Sequence, residues 1–201
     1  MKKLLKTTGI AALAMGAGWA ALTLWAESAG PKRSWKLGNQ AAKKRALIVY
    51  DADPFYNLDE QVCRSFGQAL ADNGMRVTVA TVKAAGDSSG QPVDLYVFCA
   101  NTYNWAPDWS VSDFIKTQVH LNGKSVVAIT VGGGGTAAAQ AGLEKLLLDQ
   151  KARLLDSRPL WLLKPNDESR GQESNVAVAV SMAYAWGAEI ARHVKAPQAA
   201  V

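Results

Sequence analysis

Apolar runs of five or six residues alternate along the chain with longer stretches in which apolar residues recur every three or four positions. The runs predict β-strands buried on both faces, and the longer stretches predict amphipathic helices. Strands are predicted at residues 46–50, 76–82, 94–99, 125–131 and 153–163, with Pro159 interrupting the last one. Helices are predicted at residues 57–74, 112–118, 137–151 and 174–194.

Strands that alternate with helices in this way form βαβ units and a parallel sheet. The sequence therefore predicts an α/β fold, a doubly wound five-stranded parallel sheet of order 2-1-3-4-5, in a domain at residues 45–195 with a short tail at 196–201. Ligands of such sheets bind outside the carboxyl ends of the strands. The crevice is then lined by the loops at 51–57, 100–109 and 131–136.

An apolar segment precedes the domain. Three lysines come before residues 7–26, which carry no charge and as a helix would be about 30 Å long, the thickness of the hydrocarbon core of a bilayer. We therefore expect residues 1–26 to form a transmembrane helix that anchors the protein in a membrane. The alternative is a cleaved signal peptide, which would leave a secreted domain, although the uncharged run is long for such a peptide.

Residues 27–44 are polar and basic, which is typical both of a tether resting on anionic lipid and of a soluble linker. Basic residues flank the apolar segment on both sides, so the side of the membrane that holds the domain stays unresolved. The net charge of +5 arises before residue 46. The domain itself is mildly acidic, which argues against nucleic-acid binding.

Cysteine and histidine do not form a recognisable site. Cys63 and Cys99 belong to no C-x-x-C pair, and His120 and His193 have no clustered partners. We expect two buried thiols, without a disulfide framework or a metal site.

Two loops at the expected carboxyl edge carry ligand-binding chemistry. One reads Asn101-Thr102-Tyr103-Asn104-Trp105, and the other contains Gly132, Gly133 and Gly134. Aromatic rings at a strand end suit a flat heteroaromatic ligand, and glycine lets the backbone approach one closely. The alternatives are that the rings pack on a neighbouring helix and that the glycines make a tight turn.

The order and spacing of these segments resemble those of flavodoxins and their quinone-reductase relatives. The resemblance covers about residues 44–193 and rests on the strand at 46–50, the segment 94–105, and the segment 121–134 with its Leu-x-Gly-Lys start. It implies a flavodoxin-like fold, noncovalent FMN, and electron transfer or reduction with an unknown partner protein or small-molecule acceptor.

The resemblance also implies a set of cofactor-binding residues. The flavin ring would lie between the loops at 100–105 and 131–136, stacked on Tyr103 or Trp105. The polar edge of the ring and the phosphate would contact the remaining residues of the set, which are Asn101, Thr102, Asn104, Gly132, Gly133, Gly134, Tyr56 and Asn57.

The first loop departs from the family pattern. Flavodoxins hold the phosphate there with hydroxyl residues and glycine, whereas residues 51–57 contain Asp51, Asp53 and Pro54 and none of those types. A dianionic phosphate within about 6 Å of two carboxylates would be repelled by more than about 1 kcal/mol. A flavodoxin-shaped binding or assembly module that has lost FMN is therefore the second hypothesis.

The acidic loop also resembles the Mg²⁺ pocket of receiver domains in response regulators. Thr130 and the Lys164-Pro165 pair resemble further receiver positions. A receiver needs a phospho-acceptor aspartate at the end of the third strand, and Cys99-Ala100-Asn101 stands there instead. We therefore expect no phosphorylatable receiver.

Overall fold

A computed structural model of the protein describes residues 2–88 and 92–195. The helices are α1 (Lys2–Ala26), α2 (Leu58–Asp72), α3 (Val82–Ala85), α4 (Trp109–Thr117), α5 (Ala137–Asp149) and α6 (Asn175–Lys195). The strands are β1 (Ser34–Leu37), β2 (Arg45–Tyr50), β3 (Arg76–Thr81), β4 (Leu95–Tyr103), β5 (Ala106–Pro107), β6 (Ser125–Gly132) and β7 (Arg153–Trp161). The predicted tail at 196–201 lies outside the described residues.

One mixed sheet has the order β1-β3-β2-β4-β6-β7, with β5 paired to the end of β4. The five strands from β3 to β7 on this path are parallel, and they confirm the predicted order 2-1-3-4-5. Pro159 does not interrupt β7 but pairs with Thr130 of β6. The edge position explains this, because a strand with a single neighbour tolerates a missing N–H.

Helices cover both faces of the sheet. On one face, α2 and α6 pack over Ile48, Val97 and Ile129. On the other face, α3, α4 and α5 pack over Val49 and Phe98. Helices α2 and α6 approach closely at Gly187, where a Cβ atom would stand 2.6 Å from the carbonyl oxygen of Phe66. This arrangement explains why every residue of β2 is buried.

The segment at 27–44, taken from the sequence as a tether, contains a strand that its composition did not predict. Strand β1 runs antiparallel to β3 at the edge of the sheet, and Trp35 and Leu37 pack against the α2 and α6 face. Its residues are alternately exposed and half-buried. The segment therefore extends the domain.

Helix α1 covers almost all of the segment predicted as transmembrane. Among the described residues, no helix is long and apolar enough to cross a bilayer.

Candidate functional site

A cavity of about 390 Å³ opens at the carboxyl edge of the sheet, between the loop after β2 and the ends of β4 and β6. The strand order reverses beside it, since β2 lies between β3 and β4. This is the place where open α/β sheets bind ligands. Its lining is apolar and aromatic apart from a few polar groups, and comprises Asp53, Phe55, Tyr56, Leu58, Asn101, Thr102, Tyr103, Val131, Gly132, Gly133 and Leu162.

The predicted aromatic loop is a β-hairpin. Strand β4 continues to Tyr103, and a two-residue turn of Asn104 and Trp105 leads into β5. Both turn residues have positive φ angles, 49° and 62°, as tight hairpin turns require. Tyr103 therefore faces the cavity, while Trp105 stands at the tip of the hairpin, 73% exposed. Trp105 does not line the cavity, so its expected role in stacking on a ligand there is not supported.

The glycine segment after β6 forms one wall. Gly132 and Gly133 line the cavity, and their carbonyl groups accept hydrogen bonds from Leu162 and Leu163. A Cβ atom on Gly132 would stand 2.9 Å from the methyl group of Thr136, so the protein's own packing already requires glycine there. Gly134 packs against Lys164 and does not line the cavity.

Two hydroxyl groups are buried in the cavity wall. Among the described residues, the buried Thr102 Oγ1 and Tyr103 hydroxyl make no hydrogen bond of normal geometry. Burial raises the pKa of Tyr103 far above its ordinary range, and the nearby Asp53 carboxylate adds to this, so the phenol is neutral. Buried polar groups are nearly always paired, and orphaned ones at a cavity are candidates for ligand contacts.

The loop after β2 satisfies its own polar groups. Asp53 Oδ1 accepts hydrogen bonds from the amides of Phe55 (2.6 Å) and Tyr56 (3.0 Å). The amide of Asp53 donates in turn to Asp59 Oδ2, at 2.7 Å. The amides of Phe55 and Tyr56, which precede α2, are thus bonded to a carboxylate of the same loop.

Four buried carboxylates extend this arrangement beneath the cavity, and we name Glu27, Asp51, Asp59 and Asp108 the carboxylate network. Each accepts a backbone amide: Glu27 from Trp109 (2.7 Å), Asp51 from Gly30 (2.8 Å), Asp59 from Asp53 (2.7 Å), and Asp108 from Asn101 (2.7 Å) and Val111 (2.8 Å). The network thereby connects the end of α1, the loop after β2, and the starts of α2 and α4.

Burial raises the pKa of every member of the carboxylate network. It brings the pKa of Asp59 to about 6, although hydrogen bonds from Asp53, Glu60 and Asn101 oppose the shift. The pKa values of Glu27, Asp51 and Asp108 are also raised, chiefly by burial. Within the described part of the chain, no group of three or more acidic, cysteine or histidine residues is arranged to hold a metal ion. Cys63 and Cys99 are free and buried, as expected.

The remaining predicted residues are spread around the cavity. Tyr56 lines it, and Asn101 lines it while its side-chain amide donates to the carbonyl of Asp51 (2.9 Å). Asn57 borders a neighbouring depression, and its side chain accepts a bond from Gln61. Asn104 lines a smaller cavity of about 160 Å³ beside α1. The sequence did not single out the apolar lining residues Phe55, Leu58, Val131 and Leu162, because their pattern is that of core residues.

No protein-family model and no curated protein sequence matches this chain. Solved structures do. A flavodoxin from the domain Archaea is 13% identical with a TM-score of 0.57, over 76% of this chain and 99% of that one. The flavodiiron core of Flv1 from Synechocystis sp. PCC6803 is 14% identical with a TM-score of 0.60, over 78% of this chain and 37% of that one.

An NAD(P)H:quinone oxidoreductase from Methanothermobacter marburgensis is 14% identical with a TM-score of 0.53, over 74% of this chain and all of that one. Similarities at these identities show the fold alone, and the chemistry has to be inferred from the residues of the site. The chain has the α/β flavodoxin-like fold, with a mostly parallel sheet.

Proposed function

We propose that the cavity binds the ring system of a flavin and that the protein transfers electrons through it. The observation that carries the proposal is the pair of buried hydroxyls of Thr102 and Tyr103, which make no hydrogen bond of normal geometry with the described residues, in a largely apolar cavity at the carboxyl edge of the sheet. A planar heteroaromatic ring needs apolar walls and a few hydrogen-bonding groups at its edge. The flavodoxin-like fold supports the same ligand.

The residues fit the ring. Tyr56 and Tyr103 supply aromatic surface, and Gly132 and Gly133 leave room for the ring to approach the backbone. Thr102 Oγ1 and the neutral Tyr103 hydroxyl, which lies beside Asp53, would bond the polar edge. A bound flavin would supply the electron-transfer chemistry itself, so the protein needs no nucleophile and acts by orienting the ring and excluding water.

The residues do not fit the phosphate of FMN. The amides of Phe55 and Tyr56 are already bonded to Asp53, which is also the charged side chain in the described lining of the cavity. A phosphate that bonded to the amides of Phe55 and Tyr56 would have to displace that carboxylate. We therefore favour a flavin ring whose phosphate, if present, makes no contact with this loop.

The second candidate function is a flavodoxin-shaped binding or assembly module that has lost FMN. The specific observation in its favour is the same occupation of the loop amides by Asp53. The two candidates differ in whether the cavity binds a flavin at all.

Membrane attachment through α1 is part of the proposal, and it requires that α1 be embedded in the bilayer rather than cross it, because no described helix is long and apolar enough to cross. Residues 7–26 carry no charge, and α1 spans 25 residues. In the part of α1 whose side chains are described, Leu13, Met15, Trp19, Leu22, Leu24 and Trp25 are exposed. At about 3.6 residues per turn these positions fall on all sides of the helix, and a helix that is apolar all round is normally buried in a protein core or a membrane.

The test is to purify the full-length chain in detergent, record its visible spectrum, and titrate it with riboflavin and FMN. We expect either a yellow preparation or saturable binding of riboflavin with a change in flavin fluorescence. A colourless protein that binds neither flavin would reject electron transfer through flavin and leave the binding module.

A further inference from the structure

Most of the large apolar side chains exposed outside α1 lie at one end of the domain. Phe55 and Tyr56 follow β2, Trp105 and Trp109 flank β5, and Leu163 follows β7. All five lie at the carboxyl edge of the sheet, where the cavity opens and where Phe55 and Tyr56 line it, and we name them the apolar rim. In the rest of the described domain, Leu148, Met182 and Tyr184 are the remaining exposed large apolar residues.

Trp105 is exposed at a position that does not suit it. Its φ angle of 62° belongs to the left-handed region, where a residue with a Cβ atom is disfavoured and glycine is preferred. Its side chain is 73% exposed, so little packing within the domain compensates for the conformation. A large ring held outward at such a turn suggests a partner outside the domain.

The end of α1 is fixed to the same side of the domain. The rings of Trp25 and Phe55 meet edge to face with centroids 5.1 Å apart, and Thr23 Oγ1 accepts a hydrogen bond from Asn104 at 3.4 Å. Glu27 accepts the amide of Trp109 at 2.7 Å. Whatever surrounds the exposed apolar surface of α1 must therefore lie next to the apolar rim.

We propose that the apolar rim lies in the interfacial region of a lipid bilayer, so that the mouth of the cavity opens toward the membrane. This rests on the membrane attachment proposed above and is independent of flavin binding. The chemistry of the rim supports a bilayer, because three of its residues are tryptophan or tyrosine, which partition to the boundary between headgroups and hydrocarbon. Continuity with α1 supports the same occupant, because α1 exposes apolar side chains on all sides.

The chain provides a matched pair of positions for the test. Leu163 is 72% exposed in the rim, and Leu148 is 57% exposed at the end of α5, on the amino edge of the sheet. The native Cys63 and Cys99 are buried, so a cysteine introduced at either leucine is the accessible thiol. Full-length Leu163→Cys and Leu148→Cys variants are labelled with nitrobenzoxadiazole and mixed with vesicles of phosphatidylcholine and phosphatidylglycerol.

The expected result is that the labelled chain floats with the vesicles, and that the probe at position 163 brightens severalfold and is shielded from aqueous iodide. The probe at position 148 should show neither change.

Flotation with equal iodide access at both positions would overturn the rim proposal and leave membrane attachment standing. Failure to float would overturn both proposals. A signal at position 163 that rises with protein concentration without vesicles would assign the rim to a second copy of the chain and overturn the bilayer.

A second variant checks that the rim contributes affinity of its own. Trp105→Gly removes a rim ring and suits the positive φ of the turn, so folding is expected to be unimpaired. In this background the iodide protection at position 163 should fall severalfold. Unchanged protection would overturn a role for Trp105 in the rim.

Discussion

The two sides of the cavity handle their polar groups in opposite ways. On the β2 side, the carboxylate network and Asp53 take up backbone amides, so that side is closed by the protein's own charges. On the side of β4, the hydroxyls of Thr102 and Tyr103 are buried and make no hydrogen bond of normal geometry with the described residues. The hydrogen-bonding groups available to a ligand therefore come from the end of β4. The carboxylates of the loop after β2 are used mainly in hydrogen bonds that stabilise the fold.

The largest effect on stability should follow from removing a carboxylate on the β2 side of the cavity. Asp108→Ala removes the acceptor of two buried amides, those of Asn101 and Val111. We expect the free energy of unfolding to fall by about 2–4 kcal/mol. Urea unfolding of the full-length chain in detergent measures this.

Asp113→Ala, an exposed aspartate on the same helix, is the matched control and should change stability by less than about 0.5 kcal/mol. Equal effects of the two variants would show that Asp108 does not stabilise the closed side.

The buried carboxylates on the β2 side should also make the stability of the protein increase on acidification. The pKa of Asp59 is about 6 in the folded protein and 3.8 ordinarily, so folding favours the protonated form. The resulting stability is complete below the ordinary pKa and is lost as pH rises through about 6. Acidification from neutrality through this window should raise the free energy of unfolding by about 2–3 kcal/mol.

The raised pKa values of Glu27, Asp51 and Asp108 act in the same direction. Urea unfolding across this pH range measures the change, and Asp59→Asn should flatten it. A free energy of unfolding that falls steadily on acidification would contradict the raised pKa values of these buried carboxylates.

On the β4 side of the cavity, substitutions of the two aromatic residues of the hairpin should differ in their effect on ligand binding. Tyr103→Ala removes a ring and a hydroxyl from the cavity wall and should weaken riboflavin binding by about 1–3 kcal/mol. Trp105→Gly removes a ring that lies outside the cavity and should change binding by less than about 0.5 kcal/mol. Fluorescence titration measures both, and equal losses would put the ligand at the hairpin tip.

The smallest effect should come from the charge of Asp53. Asp53→Asn keeps an oxygen for the amides of Phe55 and Tyr56 but removes the charge that faces the cavity. FMN should then bind about 1 kcal/mol more tightly at low salt, while riboflavin affinity stays the same. Asp149→Asn, an exposed aspartate at the end of α5, controls for net charge.

Titrations at low and high salt measure this effect. Tighter FMN binding in both variants would show that the gain comes from overall charge. An unchanged FMN affinity in Asp53→Asn would mean that the phosphate lies too far from Asp53 to be repelled by its charge.

The sheet could be predicted because its central strands are unbroken apolar runs, and such runs separated by amphipathic helices admit few topologies. Strand β1 could not be predicted, since its four residues alternate within a basic segment and become a strand only by pairing with β3. The hairpin was missed for a related reason. Its turn is Asn104-Trp105, without the glycine that usually marks positive φ angles.

The candidate site could be predicted where it depends on strand ends, which is why Thr102, Tyr103, Gly132 and Gly133 were named from the sequence and line the cavity. The direction of Asp53 was left open, because a turn residue was one alternative for it. Its carboxylate accepts the amides two and three residues further along its own loop, which is the local bonding that aspartate commonly makes in a turn. The divergence of the acidic loop from the family pattern stays a prediction, and the structure adds that Asp53 bonds the amides of Phe55 and Tyr56.

The affinity ratio of riboflavin and FMN for the wild-type chain tests the central claim most directly. The two ligands share the ring and differ in the phosphate. The ratio therefore measures how much the phosphate adds to, or subtracts from, the affinity for the ring. The account predicts that riboflavin binds as tightly as FMN or more tightly, because Asp53 already occupies the loop amides. FMN binding at least tenfold tighter, about 1.4 kcal/mol, would contradict it.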